Sequence, residues 1–211
     1  MNTFPAPRPK AVIFDLGKVL LDFDYGIAIR GIAENSSASA EELRVLIDQS
    51  PLLYRYETGL ISTREFYEAV RGAGFKGTLE QFSALFADMF FEVESMVRLN
   101  QNLRLAGVPT YIFSNTNELA IHHILSTFPF FRNFDGFILS YEHKSMKPAE
   151  PIYLAVEEMT GLSGDALLYV DDRIENVEAG IRRGWQVIHH VAAPQTIEAV
   201  RHKLLIGEVM M

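Results

Sequence analysis

Two hydrophobic patterns alternate along most of this chain. Ala11–Phe14, Thr110–Phe113, Phe137–Leu139, Leu167–Val170 and Gln186–Val191 are short, almost unbroken apolar runs, the pattern of strands covered on both faces. The segments between them carry apolar residues at helical spacing: one that ends at Gly107, then Glu118–Thr127, Ile152–Thr160, Ile174–Arg183 and Thr196–Leu205. Gly107, Gly161 and Gly184 stand where helix C-termini take a left-handed residue. Repeated βα units of this kind predict an α/β fold with a parallel sheet flanked by helices.

The region from the first strand to about Glu92 breaks the alternation. After a polar-aromatic loop, Asp22–Gly26, it reads as helix without a buried strand. Three capping boxes mark helix starts, Ser39 with Glu42, Ser62 with Glu65 and Thr78 with Gln81, and Phe66, Tyr67 and Val70 share one face behind the second. The expected organisation is therefore a flexible N-terminal tail (1–10), a core made of 11–22 and 93–211, and a small helical insertion at 23–92.

The strand ends carry the chemistry. In open α/β sheets, ligands bind outside the carboxyl ends of the strands. Asp15 follows the first run, Ser114-Asn115 the second, Lys147-Pro148 lies beyond the third, and Asp171-Asp172 follows the fourth. Taken singly, each has an ordinary reading as turn, cap or solvated charge. Together, the segments FDLGKVLLDFD, YETGLIS, FSNTN, KPAEPIY and VDDRIENVEAG resemble the ordered motifs of the haloacid dehalogenase (HAD) superfamily, subfamily IA, and within it the YihX-type α-glucose-1-phosphate phosphatases.

That resemblance implies a Rossmann-like core with a helical C1-type cap, and a Mg²⁺-dependent phosphomonoesterase acting on a small phosphorylated metabolite such as a sugar 1-phosphate. It makes Asp15 the nucleophile that forms an aspartyl-phosphate. Ser114, Asn115 and Lys147 bind the transferring phosphoryl group, and Asp15, the Gly17 carbonyl and Asp172 hold the metal. Asp171 and Asn176 orient that set. In the cap, Glu57 and its neighbours Tyr54, Arg55 and Tyr56 are candidates to face the substrate.

Composition narrows the setting. A net charge of −8 argues against a nucleic-acid surface, so a phosphate ligand needs local cations: Lys147, Arg173, a metal, and to a lesser degree Lys18. No apolar run approaches the roughly 20 residues of a membrane span, and the Pro-rich start lacks a signal-peptide core. The absence of cysteine excludes disulfides and thiolate chemistry and suits a reducing compartment, so a cytoplasmic location is expected. His122 and His123 lie mid-helix and His189 and His190 on the last strand, neither pair at metal spacing; Trp185 reads as core.

Gly17 departs from the pattern. Most phosphatases of the superfamily carry a second Asp two residues after the nucleophile, which protonates the leaving oxygen and later activates water. Its loss admits two alternatives, a metal-independent 2-haloacid dehalogenase and a non-catalytic phosphate-binding protein. Three carboxylates aimed at one point repel one another unless a cation sits among them, which disfavours the metal-free reading. If no acid replaces the missing one, Asp22, Asp24 and Glu57 being the first to test, turnover depends steeply on the leaving group.

Overall fold

A computed structural model describes residues 7–205. Five parallel strands, β1 (Ala11–Phe14), β4 (Thr110–Ser114), β5 (Gly136–Leu139), β6 (Leu167–Asp171) and β7 (Gln186–His189), form one sheet in the order β5-β4-β1-β6-β7. The two remaining strands, β2 (Leu21–Phe23) and β3 (Phe90–Glu92), pair antiparallel as a separate ribbon. β1 lies at the centre, and the chain adds β4 and β5 on one side of it before crossing to add β6 and β7 on the other, so its carboxyl end is a topological switch point.

The apolar runs are continuous because both faces are covered. Val12 and Phe14 enter one buried cluster with Met96, Leu103 and Val200, while Ala11 and Ile13 enter another with Tyr153, Val156 and Trp185. Helices α6 (Glu94–Leu105), α7 (Glu118–Thr127), α8 (Ser140–His143), α9 (Glu150–Thr160), α10 (Ile174–Arg182) and α11 (Ala193–Leu204) accompany the sheet. Gly107, Gly161 and Gly184 adopt φ of +74°, +64° and +78°, as the helix ends require.

A third buried cluster is built almost wholly from α1 (Tyr25–Glu34), α2 (Ala40–Ile47), α3 (Pro51–Glu57), α4 (Thr63–Gly72) and α5 (Leu79–Ala87). Its centre is aromatic: Phe66 stacks on Tyr56 at 4.5 Å between ring centroids and meets Phe86 edge-on at 5.3 Å. All three capping boxes are formed.

Several boundaries differ from the sequence reading. Asp22–Gly26 is not a loop: Leu21–Phe23 is β2, and Asp24 caps α1 by accepting from the Gly26 amide at 2.7 Å. These strands escape the apolar-run criterion because Asp22, Phe91 and Glu92 point to solvent. α9 begins at Glu150 rather than Ile152, α11 at Ala193 rather than Thr196, and β7 stops at His189. Of the expected tail, residues 1–6 lie outside the described residues; 7–10 are fixed, with the Pro7 carbonyl accepting from Gln186 at 2.7 Å and the Lys10 amide donating to the Ala166 carbonyl at 2.8 Å. No helix among the described residues is long and apolar enough to cross a membrane.

Candidate active site

β1 ends by handing Asp15 to the switch point. Its amide donates to the Val170 carbonyl at 2.8 Å, its Oδ1 accepts from the Leu16 amide at 2.7 Å, and only 7% of the residue is exposed. The chain then turns sharply, with Lys18 at φ +60° and its amide donating to the Leu21 carbonyl at 2.7 Å.

Lys147 organises the site. Its side chain is 1% exposed, and Nζ lies 2.9 Å from Asp15 Oδ1 and 2.7 Å from Asp171 Oδ2 while donating to the Phe113 carbonyl at 2.9 Å. The side chain of Asn115 fixes the Lys147 backbone from both sides: Oδ1 accepts from the Lys147 amide at 2.8 Å and Nδ2 donates to its carbonyl at 3.0 Å. The loop after β4 thus holds the lysine that neutralises the acid after β1. The Asn115 carboxamide is thus a clamp on Lys147.

Asp171 has no exposed surface, and its oxygens are taken. Oδ2 accepts from Lys147 and Tyr169, and Oδ1 from the Arg173 amide at 2.8 Å and Asn176 Nδ2 at 3.0 Å. Asp172, next in sequence, is half-buried and faces the cleft without such a set. Ligand oxygens of Asp15, Asp171 and Asp172 lie within 4.8 Å of one another.

The electrostatics follow from one ammonium among three carboxylates. Burial, opposed by Lys147 and reinforced by Asp171 and Asp172, drives the Asp15 carboxyl up to about 8. Burial also acts to raise Asp171, but Lys147, Tyr169 and the Arg173 amide outweigh it and hold that acid below the carboxylate range. Burial and the neighbouring Asp171 raise Asp172. Lys147 is held above its ordinary value because Asp15 and Asp171 outweigh its desolvation. Fully ionised, the three carboxylates would outweigh their one cation, which adds to burial in pushing Asp15 and Asp172 up.

A cavity of about 610 Å³ is lined by Asp15, Gly17, Lys147 and Asp172 together with Arg44, Asp48, Tyr54 and Glu57 from the helical insertion. Lys18, Asn115, Arg173 and Asn176 also line it. Asp171, Ser114, Arg55 and Tyr56 do not. Ser114 is buried at the end of β4, its hydroxyl 3.4 Å from the Asn115 carbonyl, and Arg55 and Tyr56 face away from the cleft, Tyr56 into the aromatic cluster. Asp22 is also absent from the lining and is paired with Lys18. The histidines stay outside: His190 bonds Thr196 Oγ1 at 2.8 Å, and His189 meets the Asp172 carbonyl at 2.9 Å. Trp185 is 4% exposed in the core.

Sequence reasoning missed Tyr25, Phe23 and Ser140. The alternation Leu21-Asp22-Phe23 before a capping Asp24 was the available signal for the first two. Ser140 becomes visible only in space, where its hydroxyl joins the Glu57 carbonyl (2.5 Å), the Thr116 amide (2.9 Å) and the Thr116 carbonyl (3.0 Å).

Known proteins resemble this chain to different degrees. A D-ribitol-5-phosphate phosphatase of Bacteroides thetaiotaomicron is 26% identical over 187 residues, 84% of this chain and 89% of that protein. The crystal structure of a HAD family enzyme from the same organism, in complex with magnesium and inorganic phosphate, superposes with a TM-score of 0.77 at 24% identity, covering 85% of this chain and 93% of that one. The L-2-haloacid dehalogenase of Xanthobacter autotrophicus shares the fold with a TM-score of 0.60 at 20% identity, over 85% and 76% of the two chains. The family model for haloacid dehalogenase-like hydrolases matches residues 9–184, which spans every strand end described above except that of β7. With that match, the chain belongs to the haloacid dehalogenase-like hydrolases.

Proposed function

We propose that this hydrolase is a Mg²⁺-dependent phosphomonoesterase working through an aspartyl-phosphate on a small phosphorylated polyol or sugar. The observation that carries the reading is the imbalance at the switch point: three carboxylates within 4.8 Å share one buried ammonium beneath a polar cavity. A metal-free attack on carbon has no use for Asp172 in that cluster.

The donor set suits Mg²⁺, which takes hard oxygen ligands and keeps several waters. In this reading Asp15, Asp172 and the Gly17 carbonyl hold it, while Asp171, whose oxygens are already engaged, positions Lys147 and the start of α10. Bound there, the ion offsets the charge between Asp15 and the incoming phosphoryl oxygens.

The chain's own groups do the rest. Asp15 supplies the attacking oxygen, and Lys147 balances phosphoryl charge while fixing the attacking carboxylate. Asn115, on the cavity wall, offers its amide to a phosphoryl oxygen, while Ser114 lies buried behind it and would join only by turning its hydroxyl away from the Asn115 carbonyl. Residues 23–92 serve as the cap that selects the leaving group, through Arg44, Asp48, Tyr54 and Glu57. The cavity is several times the volume of a phosphate and lined by donors and acceptors, as a polyhydroxyl leaving group needs. The Bacteroides relative, a D-ribitol-5-phosphate phosphatase, supports the same class.

Phosphate release from sugar 1-phosphates, sugar 6-phosphates and polyol phosphates, with and without Mg²⁺, tests the proposal. Metal-dependent turnover of at least one class is expected. Halide release from 2-chloropropionate in EDTA, with no phosphate release from any ester, would replace it by the dehalogenase reading.

A further inference from the structure

Glycine at position 17 removes the acid that would serve the leaving group, and the structure shows what occupies the vacated space. A Cβ built on Gly17 would lie 2.8 Å from Cε1 of Phe23, so the Phe23 ring fills the room of the missing side chain. That ring packs edge-on against Tyr25, with centroids 5.6 Å apart, and the Tyr25 hydroxyl donates to Glu57 Oε1 at 3.2 Å. A contiguous set of contacts leads from the empty position to one carboxyl on the cavity wall.

The location of that carboxyl is fixed independently of its side chain. Ser140 bonds the Glu57 carbonyl at 2.5 Å, the Leu119 amide donates to the Tyr56 hydroxyl at 3.2 Å, and Lys144 Nζ donates to the Gly59 carbonyl at 2.5 Å. Gly59 sits at φ +65°, where a Cβ would fall 2.1 Å from the Tyr141 carbonyl oxygen, so only glycine allows this approach. The end of α3 is thus docked on α7 and α8, the helices that follow β4 and β5.

We infer that Glu57 is the proton donor to the leaving oxygen and the base that later activates water, replacing the acid absent at Gly17. The inference rests on the phosphatase reading above. Of the other cavity acids, Asp24 is committed to capping α1, Asp48 pairs with Arg44 at 3.6 Å, and Asp15 and Asp172 are assigned to attack and metal. Glu57 Oε2 has no hydrogen-bond partner among the described residues. Burial lifts its carboxyl up to about 7 despite Tyr25 and Arg173, so the acid is protonated in a good fraction of molecules at neutral pH.

The steps balance. Asp15 Oδ attacks phosphorus, the bond from phosphorus to the ester oxygen breaks, and the Glu57 proton passes to that oxygen, leaving free alcohol, aspartyl-phosphate and Glu57 carboxylate. Water then attacks phosphorus and yields its proton to Glu57. The bond from phosphorus to Asp15 breaks, which restores both carboxyls and releases inorganic phosphate.

The test is Glu57→Gln in the full-length enzyme with Mg²⁺. p-Nitrophenolate leaves without help, so stopped flow should show a burst approaching one equivalent per site, slowed less than tenfold, followed by steady-state turnover reduced about 10²- to 10⁴-fold. A polyol phosphate should lose a similar factor with no burst. Wild-type kcat/KM for the polyol phosphate should fall as pH rises through about 7, and the variant should lose that limb. Glu57→Asp should recover part of the polyol phosphate turnover, which separates proton transfer from packing. Loss of the nitrophenolate burst in Glu57→Gln, or polyol phosphate turnover within threefold of wild type, overturns the assignment while leaving the phosphatase reading intact. A wild type that releases no phosphate from any ester overturns both.

Discussion

Replacing Lys147 by methionine removes the one cation buried between Asp15 and Asp171 and keeps most of its volume. Both carboxylates then lose a partner at under 3 Å, and Asp171, with no exposed surface, cannot recover the loss from water. Breaking a buried pair from one side costs about 3–5 kcal/mol. In a chain of this size each kcal/mol shifts the melting temperature by about 2–4 °C, so the variant should melt about 6–20 °C lower in EDTA at pH 7. The pH dependence has a defined sign. Burial raises Asp171, but Lys147 and the other donors hold its folded value below the unfolded one. Its contribution is therefore present above about pH 4 and lost as pH falls further, so the deficit should be full at pH 7 and shrink in acid. Adding Asp171→Asn should restore more than half of the lost stability by removing the stranded charge. Thermal unfolding followed by circular dichroism measures all three proteins. A deficit below about 1 kcal/mol, or a double variant no more stable than the single, would refute the argument.

Asp15→Asn should abolish phosphate release with the fold unchanged, since the carboxamide oxygen can still accept from the Leu16 amide; residual turnover above about a hundredth of wild type would point to another nucleophile. Asp172→Ala should remove both Mg²⁺-dependent activity and the rise in melting temperature that Mg²⁺ gives wild type, read by thermal shift. Gly17→Asp alone should cost about 1–3 kcal/mol because its Cβ meets the Phe23 ring, and activity toward alkyl phosphates should rise only when Phe23→Ala is added. If Gly17→Asp is as stable as wild type, the ring is free to move and does not define the site.

The strands and helices around the sheet were legible because burial on two faces writes itself into composition: Val12 and Phe14 on one side and Ala11 and Ile13 on the other leave no polar position in β1. The capping boxes were equally local, each needing only residues three apart. β2 and β3 were not legible, since a three-residue ribbon with Asp22 and Glu92 exposed has neither period nor length. At the site, the order of polar strand ends located Asp15, Lys147 and Asp172, but Asp15's partner is set by pairing across strands and by the Asn115 clamp, which spans 32 residues. The substitution at Gly17 was visible; the Phe23 ring filling its place was not, because no sequence rule relates a glycine to an aromatic six positions on through a turn.

The docking of residues 56–59 has an evolutionary consequence. Hydrogen bonds from Leu119, Ser140 and Lys144 tie this turn to the sheet side of the molecule, while Arg44, Asp48 and Tyr54 approach the cavity from segments without those ties. In the proposed reading, the proton donor and most of the recognition surface therefore have different anchors. If Glu57 and this cavity have the proposed roles, new leaving groups can be accommodated by drift in α2 and its C-terminal turn while residues 56–59 stay anchored.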